Sequence, residues 1–205
     1  MVVIAIGSHC ETHFDFCTVN CALCVLTYLV RASHDVAAGI KALVGYVLGS
    51  AQVVGCDGDM KKVVVSACLL GECCKYSGGS NKSERLLELL AARDDIEAVG
   101  VCPEVAGGLP TPRPPAEIVN GEVINKDGVS VDAEYRAGVA TVMDRLRRSI
   151  EAGEVEAAIL QSRSPSCGVH QVYDGTFSGT LITGKGLFAR ALDDAGVRLV
   201  DVADL

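Results

Sequence analysis

From Met60 onward, short β-branched runs alternate with stretches whose apolar residues recur at helical spacing. Val63–Ala67, entered through Lys61-Lys62, reads as a first, buried strand. Leu86, Leu89 and Leu90 share one face of a helix predicted over Ser83–Arg93, with Ser83 as its N-cap. Ile96–Val101 is a second strand. In EIVNGEVIN, Glu117–Asn125, the Asn120-Gly121 pair between two β-prone runs predicts a hairpin. Val139, Val142, Met143, Leu146 and Ile150 predict a long helix over Asp132–Glu151, ended by Gly153. Ala157–Leu160 is a third strand, Gly186–Ala195 a last helix stopped by Gly196, and Val197–Val200 a last strand. The alternation predicts an α/β fold: a small, mostly parallel sheet flanked by helices, three-layered and Rossmann-like, with a β-hairpin insertion.

Residues 1–59 read differently. They carry only Arg31 and Lys41 as fixed positive charges and no proline. Their apolar runs, Cys21–Val30 and Ala42–Leu48, fall short of the roughly 20 apolar residues that a membrane helix needs. MKKVVVSACLLG is a natural opening for a bacterial-type α/β domain. Residues 1–59 are therefore expected to be an N-terminal extension, a mis-called upstream start, and residues 60–205 the functional domain.

The 205 residues carry a formal net charge of −8, which argues against a phosphate-backbone partner and so against DNA binding. No secretory leader or membrane span is readable, so a cytoplasmic, reducing compartment is expected. Oligomeric state is not legible. In such a compartment ten cysteines point to metal ligands or reactive thiols rather than disulfides. Five precede Met60 and five follow it: Cys68, Cys73, Cys74, Cys102 and Cys167.

In a parallel α/β sheet, ligands bind beyond the carboxyl ends of the strands. Cys68 follows the first strand, Cys102 follows the second, and Cys167 lies in the loop after the third. Each sits among Gly, Pro or Ser, which let backbone approach a compact object. One cysteine of this kind is as readily an ordinary buried residue; three at one sheet edge suit a soft metal centre. Structural zinc asks for four ligands, often in Cys-x2-Cys pairs, and none is present. A [4Fe–4S] cluster on three cysteines leaves one iron open to a substrate sulfur. Cys73 or Cys74 as a fourth ligand would close that iron. Cys17-x3-Cys21-x2-Cys24 reproduces the cysteine spacing of radical SAM enzymes, but no barrel or glycine-rich cofactor strand follows it, and chance is the better account.

SACLLGECCKYSGG, GVCPEVAGGLPTPRPPAEI, SRSPSCG and YDGTFSGTLITGKG, in this order, resemble the successive signatures of the DUF523 family, whose characterised type is thiouracil desulfidase. The resemblance runs from about Met60 to Val200. It implies a [4Fe–4S] cluster on Cys68, Cys102 and Cys167, whose open iron takes the thiocarbonyl sulfur of a small thio-substrate such as 2-thiouracil, with water replacing sulfur and no net redox change. Beside the cluster, Glu104 is the candidate base and Ser164 a candidate hydrogen-bond donor or proton relay; as bland alternatives they are a loop carboxylate and a turn former. Arg113 and Glu117 either pair or hold the pyrimidine edge, and Asp174, Thr176 and Ser178 line a pocket or shape a turn. His170 reads as a solvated or turn-capping residue. The family commonly has Arg-Tyr-Asp-Gly where this chain has Lys75-Tyr76-Ser77-Gly78, which bears on the substrate more than on the cluster. The alternative is a non-catalytic iron–sulfur or zinc module, a sensor or partner domain.

Overall fold

The computed structural model describes residues 60–205. The expectations for residues 1–59, the Cys17-Cys21-Cys24 spacing included, lie outside the described residues. Four parallel strands form the central sheet: β1 (Lys61–Ser66), β2 (Ile96–Val101), β5 (Val155–Leu160) and β8 (Leu199–Asp201), in the spatial order β2-β1-β5-β8. The chain moves outward from β1 to β2 and then returns across β1 to β5. The order therefore reverses between β1 and β5, and the carboxyl ends of those two strands border the crevice where α/β sheets bind ligands.

β1 carries the core because its valines alternate. Val64 packs with Val142 and Leu146 of α3 (Asp132–Glu151) and Phe188 and Leu192 of α4 (Leu187–Asp194). Val63 and Val65 face the other layer, against Leu69 and against Leu86 of α1 (Glu84–Ala91). Both faces of β1 are thus buried, as its continuous apolar run required. The α1 cap is as expected, with the Ser83 hydroxyl accepting from Leu86 N at 3.3 Å. Of its expected apolar face only Leu86 is fully buried, while Leu89 is exposed. α3 matches the predicted range, and Gly153 follows it at φ +67°.

Two hairpins form separate two-stranded sheets. The expected one joins β3 (Ala116–Val119) and β4 (Glu122–Asn125) through Asn120 and Gly121, both at positive φ as a primed turn demands. The second, β6 (Gln171–Tyr173) with β7 (Leu181–Thr183), was not foreseen: strands of three residues give too short a period-2 signal to stand out. The short helix α2 (Pro103–Ala106), with Cys102 as N-cap residue and Pro103 in its first turn, is likewise new.

α2 lies against α3 at backbone contact. A Cβ on Gly138 would fall 1.9 Å from Pro103 O, and one on Gly107 would fall 2.0 Å from Glu134 O. Two glycines therefore let α2, which carries Glu104, rest on the turn of α3 that carries Tyr135. Among the described residues, no helix is long and apolar enough to cross a membrane.

Candidate functional site

Each candidate cysteine lies beyond the carboxyl end of a strand. Cys68 lies in a 3-10 turn, Ala67–Leu70, directly after β1; Cys102 follows β2; Cys167 sits in the loop after β5. All three line one cavity of about 490 Å³ at the β1/β5 crevice, together with Cys74, Glu104, Arg113, Glu117 and Ser164. Local hydrogen bonds set their positions. Asn81 N donates to Cys68 O at 3.0 Å, and the Ser66 hydroxyl, at the end of β1, accepts from Gln161 N at 3.0 Å. Asn81 and Gln161 then join their side-chain amides across the cavity wall at 2.9 Å.

Cys68, Cys74 and Cys167 are buried, Cys102 is half-buried and Cys73 is exposed. Burial pushes the Cys68 thiol up to about 11, with neighbouring Cys102 and Glu104 adding to it. It pushes Cys74 to about 12 and raises Cys167 as well, each reinforced by Cys102. The thiols thus lie close enough to feel one another, in surroundings that disfavour bare thiolates and would favour them beside a cationic centre. Among the described residues, no three His, Cys, Asp or Glu side chains close on a single ion position. Three thiols flanking a roomy cavity suit a body larger than one ion, so the donor set fits an iron–sulfur cluster better than zinc.

Glu104 hangs from α2 into this cavity. Its Oε2 takes Arg113 Nε at 2.8 Å, and the same guanidinium reaches it through its second nitrogen at 2.6 Å. The Ser166 hydroxyl donates to Oε1 at 3.2 Å. Arg113 spends its other donors on Pro110 O, the Thr111 hydroxyl and Cys74 O, at 3.0–3.1 Å. Burial works against the Arg113 charge, but the Glu104 carboxylate more than offsets it and the net shift is upward. Tyr135, from α3, is 3 % exposed, and burial beside Glu104 pushes its hydroxyl up. The sequence reading set Arg113 and Glu117 as possible partners; instead Arg113 pairs with Glu104. Glu117 binds the turn after β6, accepting from Gly175 N and Phe177 N, each at 3.0 Å.

Ser164 has a turn-forming role and keeps a free donor. Its Oγ accepts from Ser166 N at 3.1 Å and from Cys167 N at 3.2 Å, which anchors the Cys167 loop. With those lone pairs engaged, the hydroxyl hydrogen remains to donate. Asp174, Thr176 and Ser178 bond mainly to each other on the outer side of their turn, whereas Phe177, between them, lines the cavity. His170 is exposed and bonded to Asp204 at 2.8 Å. Sequence reasoning missed Phe177, Ser166 and Tyr135. The last two lie in ordinary turn and helix patterns, and only the fold brings them to Glu104.

Comparison with known proteins identifies relatives of the chain. Residues 63–204 match the family described as 2-thiouracil desulfurase. The chain is 38% identical over 153 residues to the "uncharacterized protein YbbK" of Bacillus subtilis (strain 168), which covers 70% of this chain and 97% of that protein. Among solved structures it resembles a [4Fe-4S]-dependent thiouracil desulfidase, TudS, at 37% identity and a TM-score of 0.62, over 71% of this chain and 93% of that one.

Proposed function

This chain belongs to the 2-thiouracil desulfurase family, and from that premise we propose that it exchanges the thiocarbonyl sulfur of a thiolated pyrimidine such as 2-thiouracil for oxygen, using a [4Fe–4S] cluster held by Cys68, Cys102 and Cys167. One observation carries the reading: three strand-end thiols and the Glu104 carboxylate share a single cavity at the β1/β5 crevice. When bound, the cluster supplies an iron without a protein ligand, a thiophilic Lewis acid suited to a substrate sulfur.

The remaining work belongs to the chain. Glu104, fixed on one oxygen by Arg113, removes a proton from the water that adds to the thiocarbonyl carbon. The Ser164 hydroxyl, whose acceptor sites are taken by two backbone N–H groups, donates toward the substrate or the departing sulfur. Water's oxygen ends on the ring, its two protons leave with sulfur as hydrogen sulfide, and no electrons are gained or lost. The rest of the cavity, lined by Ala116 and Glu117 of β3 and by Tyr173 and Phe177 of the β6–β7 hairpin, holds the heterocycle.

The test is anaerobic preparation of the full chain, with iron and acid-labile sulfide counted and 2-thiouracil then added while its thiocarbonyl absorbance is followed. Four irons per chain, loss of that absorbance and release of sulfide support the reading. A folded protein that takes up zinc, or no metal, under iron- and sulfide-replete conditions overturns it.

A further inference from the structure

Phe177 stands in the left-handed backbone region, at φ +56°. For a bulky side chain this is a rare and costly conformation that persists only where surrounding structure enforces it. The enforcing group is Glu117. Glu117 is 8 % exposed, and its carboxylate has no Lys or Arg partner among the described residues and accepts from both Gly175 N and Phe177 N. Gly175 lies so close to β3 that a Cβ there would fall 2.8 Å from Ile118 O. A buried carboxylate and a glycine thus hold one turn against β3 and fix the backbone that carries one aromatic ring.

Core packing does not explain the ring's position. Phe177 belongs to neither apolar cluster of the fold and is only half-buried. It lines the cavity that holds Cys68, Cys102, Cys167 and Glu104. Three other aromatic residues reach this cavity. Tyr135 is buried on α3, with its hydroxyl committed beside Glu104. Tyr76 is 44% exposed, with the Lys75 ammonium 5.7 Å above its ring. Tyr173 follows the ordinary extended path of β6. Phe177 alone among the four is held in a strained backbone by a dedicated clamp.

We propose that the Phe177 ring is the platform on which the substrate's pyrimidine stacks, and that Glu117 is its positioning residue, acting through the backbone of the 175–177 turn. This rests on the thiolated-pyrimidine reading and adds the surface that binds the ring. A planar heterocycle presents a π-face whatever its substituents, so one aromatic platform serves both the thio-substrate and the oxo-product.

The experiment uses the full chain with its cluster loaded and iron content checked in every variant. Uracil binding is measured by titration calorimetry, and KM and kcat are measured with 2-thiouracil. F177A and F177L are expected to weaken uracil binding and raise KM by roughly 5- to 100-fold, the range set by loss of base–aromatic stacking, while kcat changes far less. F177Y restores both. E117A follows F177A, and the double variant loses no more than either single one. Wild-type uracil affinity in F177L, which keeps apolar bulk without an aromatic face, overturns the proposal. If the wild-type chain binds uracil without converting 2-thiouracil, the desulfidase reading fails and the stacking proposal is still decided by the F177L comparison. If it binds neither, both fall.

Discussion

Glu104 and Arg113 form a largely buried ion pair in the wall of the thiol-lined cavity, 2.6 Å apart with side chains 13% and 5% exposed. The pair ties the helix after Cys102 to the Pro-rich loop, and through Cys74 O it ties both to the segment after Cys68. A charge buried this way is tolerable only while its partner stays.

Removing one partner should therefore cost more than a surface pair would. R113A is expected to destabilise the fold by about 3–5 kcal/mol, read from urea unfolding, because it strands Glu104 in the cavity wall. R113K should recover only part of that loss, since an ammonium cannot span Glu104, Pro110, Thr111 and Cys74 together. E104Q tests the chemistry: kcat should fall by roughly 10²- to 10⁴-fold with iron content unchanged. An E104Q variant as fast as wild type would remove Glu104 from the mechanism.

The α2–α3 contact makes a sharper structural prediction. G138A places a methyl group 1.9 Å from Pro103 O, a clash no rotamer change can relieve because the Cβ is fixed to its backbone and meets a backbone oxygen. The helices must separate, carrying Glu104 and the segment after Cys102 away from Tyr135. Loss of the cooperative unfolding transition, or a fall in its midpoint well beyond that of G153A, is the expected result. Gly153 has open space around it but sits at φ +67°, so G153A carries only the backbone cost.

The placement of three cysteines beyond strand ends was legible in the sequence because β1, β2 and β5 each announce themselves by a β-branched or apolar run and each is followed by its cysteine. α3 was legible over its whole predicted range, because five apolar residues at helical spacing fix a period that three cannot. The β6–β7 hairpin, and with it Phe177, was not. Its strands are three residues long, and YDGTFSG reads as a polar turn. The partner of Arg113 was also illegible: Glu104 and Glu117 are both near in sequence, and only the placement of α2 on α3 decides between them.

The cysteines themselves separate ligands from neighbours. C68A, C102A and C167A are each expected to lose the bound iron while keeping the circular-dichroism spectrum of the folded chain. C73S should retain iron because Cys73 is exposed. C74S should also retain it, although Cys74 is buried and adjoins Cys102. Iron loss in C74S would make Cys74 a fourth ligand and close the iron on which the mechanism depends.

We propose that residues 60–205 form the complete catalytic domain, since the family match spans 63–204 and every candidate residue falls within it. The fragment 60–205 should bind iron and convert 2-thiouracil within about twofold of the full chain. Insolubility of the fragment, or loss of its iron, would give residues 1–59 a role in the domain.

At the opposite end, the C-terminal turn is pinned beneath the Cys167 loop. His170 bonds Asp204 at 2.8 Å, while the Ser162 hydroxyl and Ala203 N both bond Asp201. The hydrogen bond to Asp204 raises His170 above its ordinary value near 6.5. A raised value means that the folded state holds the proton more tightly than the unfolded one. The pair's contribution is therefore fully present below about pH 6.5 and is lost as pH rises through the folded value. Both side chains are more than half exposed, so the effect on unfolding should be small and should shrink in high salt. An NMR titration of the His170 ring carries the test. In wild type the midpoint should lie above the ordinary value, and in D204N it should fall back toward it. A midpoint unmoved by D204N would show that the pair does not persist in solution, leaving Asp201 as the tie between the C-terminus and the loop that carries Cys167.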